Sequence, residues 1–229
     1  MWTGGHAWDD DRRFNAAFRA HGAGVVDPPY RKNILIPFGE YLPFADASPW
    51  LQKVWRKDRN WAGVEQPVFT SPAGNFTFLI CYEAIKSAYV RKVATRAAAA
   101  VDLLVNLTDD GWFGDTSCPH LHLAAAALQS AQLGVPMARV SSTGISAFVD
   151  ARGVVTARTG LFQPAVLVQD VPRFTAPSLY GAWGDWFAWL CVLTSAALLA
   201  AAARASRQGA GGRVPLARAA MDAGDRATS

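Results

Sequence analysis

From Asn75 to Ile80 the chain alternates with a period of two, and from Glu83 onward the period lengthens to that of a helix, with a thiol, Cys81, at the change. Phe76, Phe78 and Ile80 fall on one face of the predicted strand, Thr77, Leu79 and Cys81 on the other, and Pro72 and Gly74 introduce it. Ile85, Ala88, Tyr89, Lys92 and Val93 then recur at helical spacing. A strand that gives way to a helix within about two residues belongs to a fold in which helices lie against one sheet. The same switch carries chemistry, because the free amides and positive end of a helix favour a thiolate over a thiol. A lone Cys in a strand is otherwise a small packing residue, so its neighbours decide.

Those neighbours lie upstream, in Tyr30-Arg31-Lys32-Asn33-Ile34-Leu35-Ile36-Pro37-Phe38-Gly39-Glu40-Tyr41-Leu42-Pro43. Lys32 and Glu40 are separated by a predicted apolar strand and a Pro/Gly turn. Taken alone, Lys32 reads as a solvated charge at a strand end and Glu40 as a turn residue beside Gly39. Taken with Cys81, the set supplies a nucleophile, a cation for an oxyanion, and a carboxylate that holds the cation.

The segments Tyr30 to Pro43, Leu79 to Glu83 and Asn106 to Gly114 resemble, in that order, motifs of the nitrilase superfamily and, within it, the apolipoprotein N-acyltransferase family. The likeness runs from about Phe14 to the C-terminus. It implies an α/β fold, a nitrilase-like four-layer α-β-β-α sandwich, followed here by one C-terminal transmembrane helix. It implies Cys81 as the acyl-accepting nucleophile, Lys32 as the oxyanion-stabilising lysine and Glu40 as the glutamate beside the lysine. Tyr82, Glu83 and Trp112 match positions around the acyl pocket and are the implied substrate-binding residues. Glu83 also reads as a first-turn acid complementing a helix dipole, and Trp112 as core packing.

The implied activity is transfer of a fatty acyl chain from a phospholipid, through a Cys81 thioester, to the N-terminal amine of a diacylglyceryl-cysteine lipoprotein. Its partners are a phospholipid donor, a lipidated apolipoprotein acceptor and the membrane, with no cofactor, no metal and no nucleic acid. The family carries a further glutamate, a general base, before its lysine motif. Here no Glu precedes Glu40, and Asp9, Asp10, Asp11 and Asp27 lack the Pro-Glu context, so the resemblance implies a truncated form lacking the N-terminal part of the sandwich. Two other readings use the same residues: a nitrilase-type amidase or hydrolase of a small amide, and a catalytically dead membrane-anchored module.

Trp186 to Ala203 is a run of 18 residues without charge. As a helix rising ~1.5 Å per residue it covers about 27 Å, enough for a hydrocarbon core. Tyr180, Trp183, Trp186 and Trp189 gather at its start and Arg204, Arg207, Arg213 and Arg218 follow its end. The positive-inside rule puts that tail in the cytoplasm and the catalytic domain on the periplasmic face of a bacterial inner membrane. Met1 to Arg13 has no apolar core of an export signal, so this orientation calls for membrane helices upstream. The expected organisation is a catalytic domain over 1–178, a transmembrane helix over 183–203 and a basic flexible tail over 204–229.

A chain of 229 residues that is 51% hydrophobic and 17% charged is too apolar for disorder. A formal charge of +4, carried mostly by arginines after Ala203, is no nucleic-acid signature. Three cysteines form no disulfide framework, and Cys118-Pro119-His120-Leu121-His122 has poor metal spacing. Pro43 to Pro67 reads as a long loop, a lid or lipid-facing arm whose apolar side is Trp50, Leu51, Val54, Trp55 and Trp61. Strands are predicted over 101–107, from Met137 to Ser142, over 144–149 and 154–158 around the turn Asp150-Ala151-Arg152-Gly153, and over 165–171. A helix is predicted over 121–133, closed by Gly134.

Overall fold

Trp2–Asp9 (β1) and Arg12–His21 (β2) pair as an antiparallel hairpin, in register from Trp2↔Arg19 to Asp9↔Arg12, with Asp10 at a left-handed φ of 52° in the turn. The computed structural model describes residues 1–21, 24–25, 28–54, 59–72, 74–96, 100–172 and 178–211. The chain divides into two compact units, Met1–Gly184 and Asp185–Ser229. In the first, Gly24–Val25 (β3) and Tyr30–Arg31 (β4) both pair antiparallel with β2 to complete one sheet.

After a short helix, Pro49–Val54 (α1), the second sheet takes over: Phe69–Ser71 (β5), Gly74–Ile80 (β6), Leu103–Thr108 (β7), Met137–Ser141 (β8), Ala147–Val149 (β9) and Val155–Arg158 (β10). They stand side by side in the order β10-β9-β8-β7-β6-β5. The central pairs β6–β7 and β7–β8 are parallel, and the outer pairs are antiparallel. Parallel neighbours need a crossover, and two helices supply it: Ser87–Arg96 (α2) and Cys118–Leu133 (α3). Gly134 closes α3 at a left-handed φ of 69°, its amide returning to Ser130.

The alternation in β6 sorts its side chains as the sequence predicts. Phe76, Phe78 and Ile80 enter the layer between the sheets with Trp2, Ala17, Tyr30 and Phe69. Trp2 meets Phe78 and Phe69 with ring centres 4.7 and 4.8 Å apart, geometry that adds ~0.5–1.5 kcal/mol per pair to area burial. Leu79 points the other way, into a core with Leu104, Met137, Val90, Val93, Leu123 and Ala126. The described residues thus build helix, sheet and sheet in layers, the α/β organisation expected.

Ala165 to Val171 forms no strand. Val166 and Val168 are 89% and 93% exposed and the alternate face, Leu167 and Val171, is only partly buried, while the Gln169 side chain exchanges hydrogen bonds with Thr156. The aromatic arm is partly structured by α1: Trp50 is exposed, the guanidinium groups of Arg12 and Arg59 lie 4.7 and 4.4 Å from the Trp61 ring centre, and Trp55 is outside the described residues.

Leu179–Trp183 (α4) ends the first unit. Ser178 accepts the Gly181 amide at its start, and Arg91 from α2 donates to the carbonyls of Tyr180, Gly181 and Ala182 at its end. In the second unit, Trp186–Gly211 (α5) includes a stretch, Trp186–Gln208, with mean hydropathy 1.9 and no burial, long and apolar enough to cross a membrane. Arg213 and Arg218 are outside the described residues.

Candidate active site

Cys81 follows the last residue of β6 at a left-handed φ of 50°, a conformation costing a non-glycine residue ~1–2 kcal/mol. That backbone breaks the strand alternation: Cys81 packs against the cluster between the sheets rather than sharing the Leu79 face. It opens a 3-10 turn, Cys81–Ile85, and α2 begins only at Ser87. The helix dipole expected at the thiol is therefore that of one short turn. Cys81 is partly accessible, while Cys118 and Cys191 are exposed.

Glu83, in the same turn, is fully buried, and four donors meet its carboxylate. Oε2 accepts from the Ile80 amide at 2.7 Å and the Tyr30 hydroxyl at 2.8 Å; Oε1 accepts from the amides of Asn33 at 2.6 Å and Ile34 at 3.1 Å. Burial raises the Glu83 pKa above the usual carboxylate range, with these donors pulling the other way. Tyr89 joins the Tyr30 hydroxyl and accepts from Asn33; burial and then the Glu83 charge push its pKa up to about 12.

The contacts at Asn33 and Ile34 explain why no strand forms between Lys32 and Glu40. The backbone donors a neighbouring strand would use are committed to carboxylates: Asn33 and Ile34 to Glu83, and Ile36 to Glu40 Oε2 at 2.8 Å. The chain then turns tightly, with Phe38 at a left-handed φ of 61° and its amide bonded to the Tyr41 carbonyl. Lys32 is not a solvated charge. It is fully buried, and Nζ donates to Glu40 Oε2 at 2.7 Å, while Asn15 Nδ2 donates to Oε1 at 3.2 Å. The 59–63 stretch returns alongside, where a side chain at Gly63 would strike the Arg31 carbonyl.

The structure thus gathers the Cys81 turn and the Lys32–Glu40 segment at the carboxyl end of β6, the edge where open α/β sheets bind ligands. Glu83, implied as a pocket residue, ties these segments together. Tyr82 is half-buried, with the Lys86 ammonium 4.1 Å from its ring centre. Trp112 stands beyond the end of β7 in a 3-10 turn, Gly111–Phe113, and is 69% exposed. A groove of about 440 Å³ beside Lys32 is lined by Asn33, Ile34, Leu35, Tyr41, Asn60 and Trp61. A larger one of about 690 Å³, over Phe14, Arg31 and Glu65, is not lined by Cys81, Lys32 or Glu40.

One cluster escaped the sequence reading. Arg139, Asp110, Asn106 and His122 are buried together, with Arg139 Nη2 to Asp110 Oδ2 at 2.7 Å and His122 Nδ1 to Asp110 Oδ1 at 2.9 Å. Burial opposes the Asp110 carboxylate, but the His122 hydrogen bond and the Arg139 charge outweigh it and hold its pKa below the ordinary range. The available signal was polar residues inside apolar strands, Asn106 and Arg139, with Asp110 just after the first of them. Among the described residues, no group of three His, Cys, Asp or Glu could hold a metal.

The carbon-nitrogen hydrolase family matches residues 3–178. An apolipoprotein N-acyltransferase of Geobacter metallireducens is 35% identical over 195 residues, 83% of this chain and 36% of that protein. One of Rhizobium meliloti is 40% identical over 154 residues, 65% of this chain and 28% of its own length. The chain spans about a third of the length of these relatives. An amidase variant of Nesterenkonia sp. AN1, with acrylamide added at its active-site cysteine, superposes with a TM-score of 0.53 at 20% identity, covering 75% of this chain and 62% of that one. Identity that low speaks for the fold alone.

Proposed function

The chain belongs to the carbon-nitrogen hydrolase family, and from that membership we propose that it carries the thiol machinery of a membrane-tethered N-acyltransferase. The observation that carries this reading is the presence, in one chain, of a strand-end cysteine stapled to a buried lysine segment and of an apolar helix of membrane length. A hydrolase of small soluble amides needs the first and has no use for the second.

In this reading the Cys81 thiolate attacks the ester carbonyl of a phospholipid. The Lys32 ammonium, fixed by Glu40, stabilises the tetrahedral oxyanion, and as it collapses the lysophospholipid oxygen leaves as the alcohol, taking from solvent a proton equivalent to the one the Cys81 thiol gave up to it. The acyl group remains on Cys81 as a thioester. The N-terminal amine of a diacylglyceryl-cysteine lipoprotein then attacks the thioester, the amide forms, and the thiol is regenerated. Two bulky lipids need not share the site at once, which suits ping-pong kinetics. Tyr82 and Trp112 bound the acyl site, and Glu83 sets its frame. The helix lies in a bacterial inner membrane, the arginines after Ala203 hold its cytoplasmic end, and the catalytic unit faces the periplasm.

The test is acylation in bilayers with a labelled acyl-chain phospholipid. The expected result is a hydroxylamine-labile adduct on the Cys81 peptide, absent from Cys81→Ser and discharged by a diacylglyceryl peptide. Label retained by Cys81→Ser, or release of ammonia from small amides in place of acyl transfer, would overturn the reading.

A further inference from the structure

Leu79, Asn106 and Arg139 form a row across β6, β7 and β8, each in register with the next. Asn106 Nδ2 donates to the Leu79 carbonyl at 2.9 Å, and Asn106 Oδ1 accepts from Arg139 Nη1. Arg139 Nε donates to the Ile145 carbonyl at 3.3 Å, and Nη2 to Asp110 at 2.7 Å. Asp110 Oδ1 also accepts from Thr108 Oγ1 at 3.2 Å and meets His122 Nδ1. All the side chains in this chain of bonds from Asn106 through Arg139 to Asp110 are at most 2% exposed.

Both ends of the chain of bonds reach the site. The Leu79 carbonyl lies two residues before Cys81, and Asp110 precedes the Gly111–Phe113 turn that carries Trp112. Packing alone does not call for such a network, since a buried ion pair is commonly matched or bettered in stability by apolar residues of similar volume. Its fork geometry does call for arginine: one planar group reaches an amide, a carboxylate and a carbonyl together.

We propose that Arg139 is a positioning residue that fixes the Cys81 end of β6 and the Trp112 turn relative to each other, through Asn106 on one side and Asp110 on the other. Burial lowers the guanidinium pKa, while the Asp110 carboxylate opposes this and keeps the cation paired. The inference rests on Cys81 and Trp112 being the site residues named above. It does not require acyl transfer by this chain, so the test reads a thiol and an indole rather than turnover.

The 229-residue chain is labelled with 5-fluorotryptophan, the Trp112 signal is assigned with Trp112→Phe, and iodoacetamide alkylation is followed at Cys81 with the exposed Cys118 as internal standard. Arg139→Lys keeps the charge and loses the fork. It should change the Cys81-to-Cys118 rate ratio by about tenfold and move the Trp112 signal while the other eight stay in place. Arg139→Met should do the same. A ratio within about twofold of wild type, full rescue by Lys, or all signals moving together with a lowered melting temperature would each overturn the proposal. If the Arg139 variants do not fold, Asp110→Asn keeps the side-chain size. An unchanged Cys81 rate in that variant overturns the proposal, and a changed one supports it.

Discussion

The backbone amide of Asn33 donates to the carboxylate of Glu83 at 2.6 Å, across 50 residues of sequence. Asn33 is the residue after Lys32, and Glu83 is in the turn that Cys81 opens. One carboxylate thus holds the proposed cation and the proposed nucleophile in a common frame.

Replacing that carboxylate separates its charge from its shape. Burial raises the Glu83 pKa above its unfolded value of ~4.3, so the folded state holds the proton more tightly. Its contribution is most favourable at low pH and is lost as pH rises from the unfolded value through the folded one. Glu83→Gln should abolish that slope. It should also cost about 1–3 kcal/mol, because an amide NH2 facing the Ile80 N–H cannot accept it. Urea unfolding of both proteins from about pH 4 to 8 checks this, and a wild-type stability that climbs relative to the Gln variant across that range refutes it.

Lys32 is fully buried against Glu40, so its loss is no surface change. Lys32→Met should destabilise by roughly 3–5 kcal/mol by stranding a carboxylate, and Lys32→Met/Glu40→Gln should recover most of it. Neither should form a thioester from labelled phospholipid. Chemical denaturation and acyl labelling read the two effects separately, and near-normal labelling by either variant would remove Lys32 from the mechanism.

At Cys81 the left-handed backbone favours glycine. With the thiol gone in both, Cys81→Gly should be about 1 kcal/mol more stable than Cys81→Ala, since alanine keeps the strain. Equal unfolding midpoints would show that the turn relaxes in the variants.

Phe78→Ala removes a fully buried ring from between the sheets and should cost roughly 3–5 kcal/mol, whereas Val168→Ala, at a residue 93% exposed, should stay within ~0.5 kcal/mol. Thermal unfolding measures both; a large loss at Val168 would mean that its segment is packed after all.

These contrasts follow what the sequence could and could not express. The faces of β6, the close of α3 at Gly134 and the hairpin through Gly153 are local, and periodicity or turn chemistry announced them. The stretch from Ile34 to Ile36 looked like a strand because it is apolar, but its amides are claimed by Glu83 and Glu40, one of them far away in sequence. From Val166 to Val171 the apolar residues include two that face solvent, Val166 and Val168, and none that is fully buried. The Asp110–Arg139 pair spans 29 residues and joins the turn after β7 to the parallel neighbour β8, a proximity that the sheet order creates.

The clasp that Arg91 makes on the last carbonyls of α4 has a mechanical consequence. Arg91 belongs to α2, the helix that follows the Cys81 turn, so the last helix of the first unit is tied directly to the element next to the thiol. A load on the end of α4 therefore reaches α2, and through it the Cys81 turn, by three side-chain hydrogen bonds as well as along the backbone.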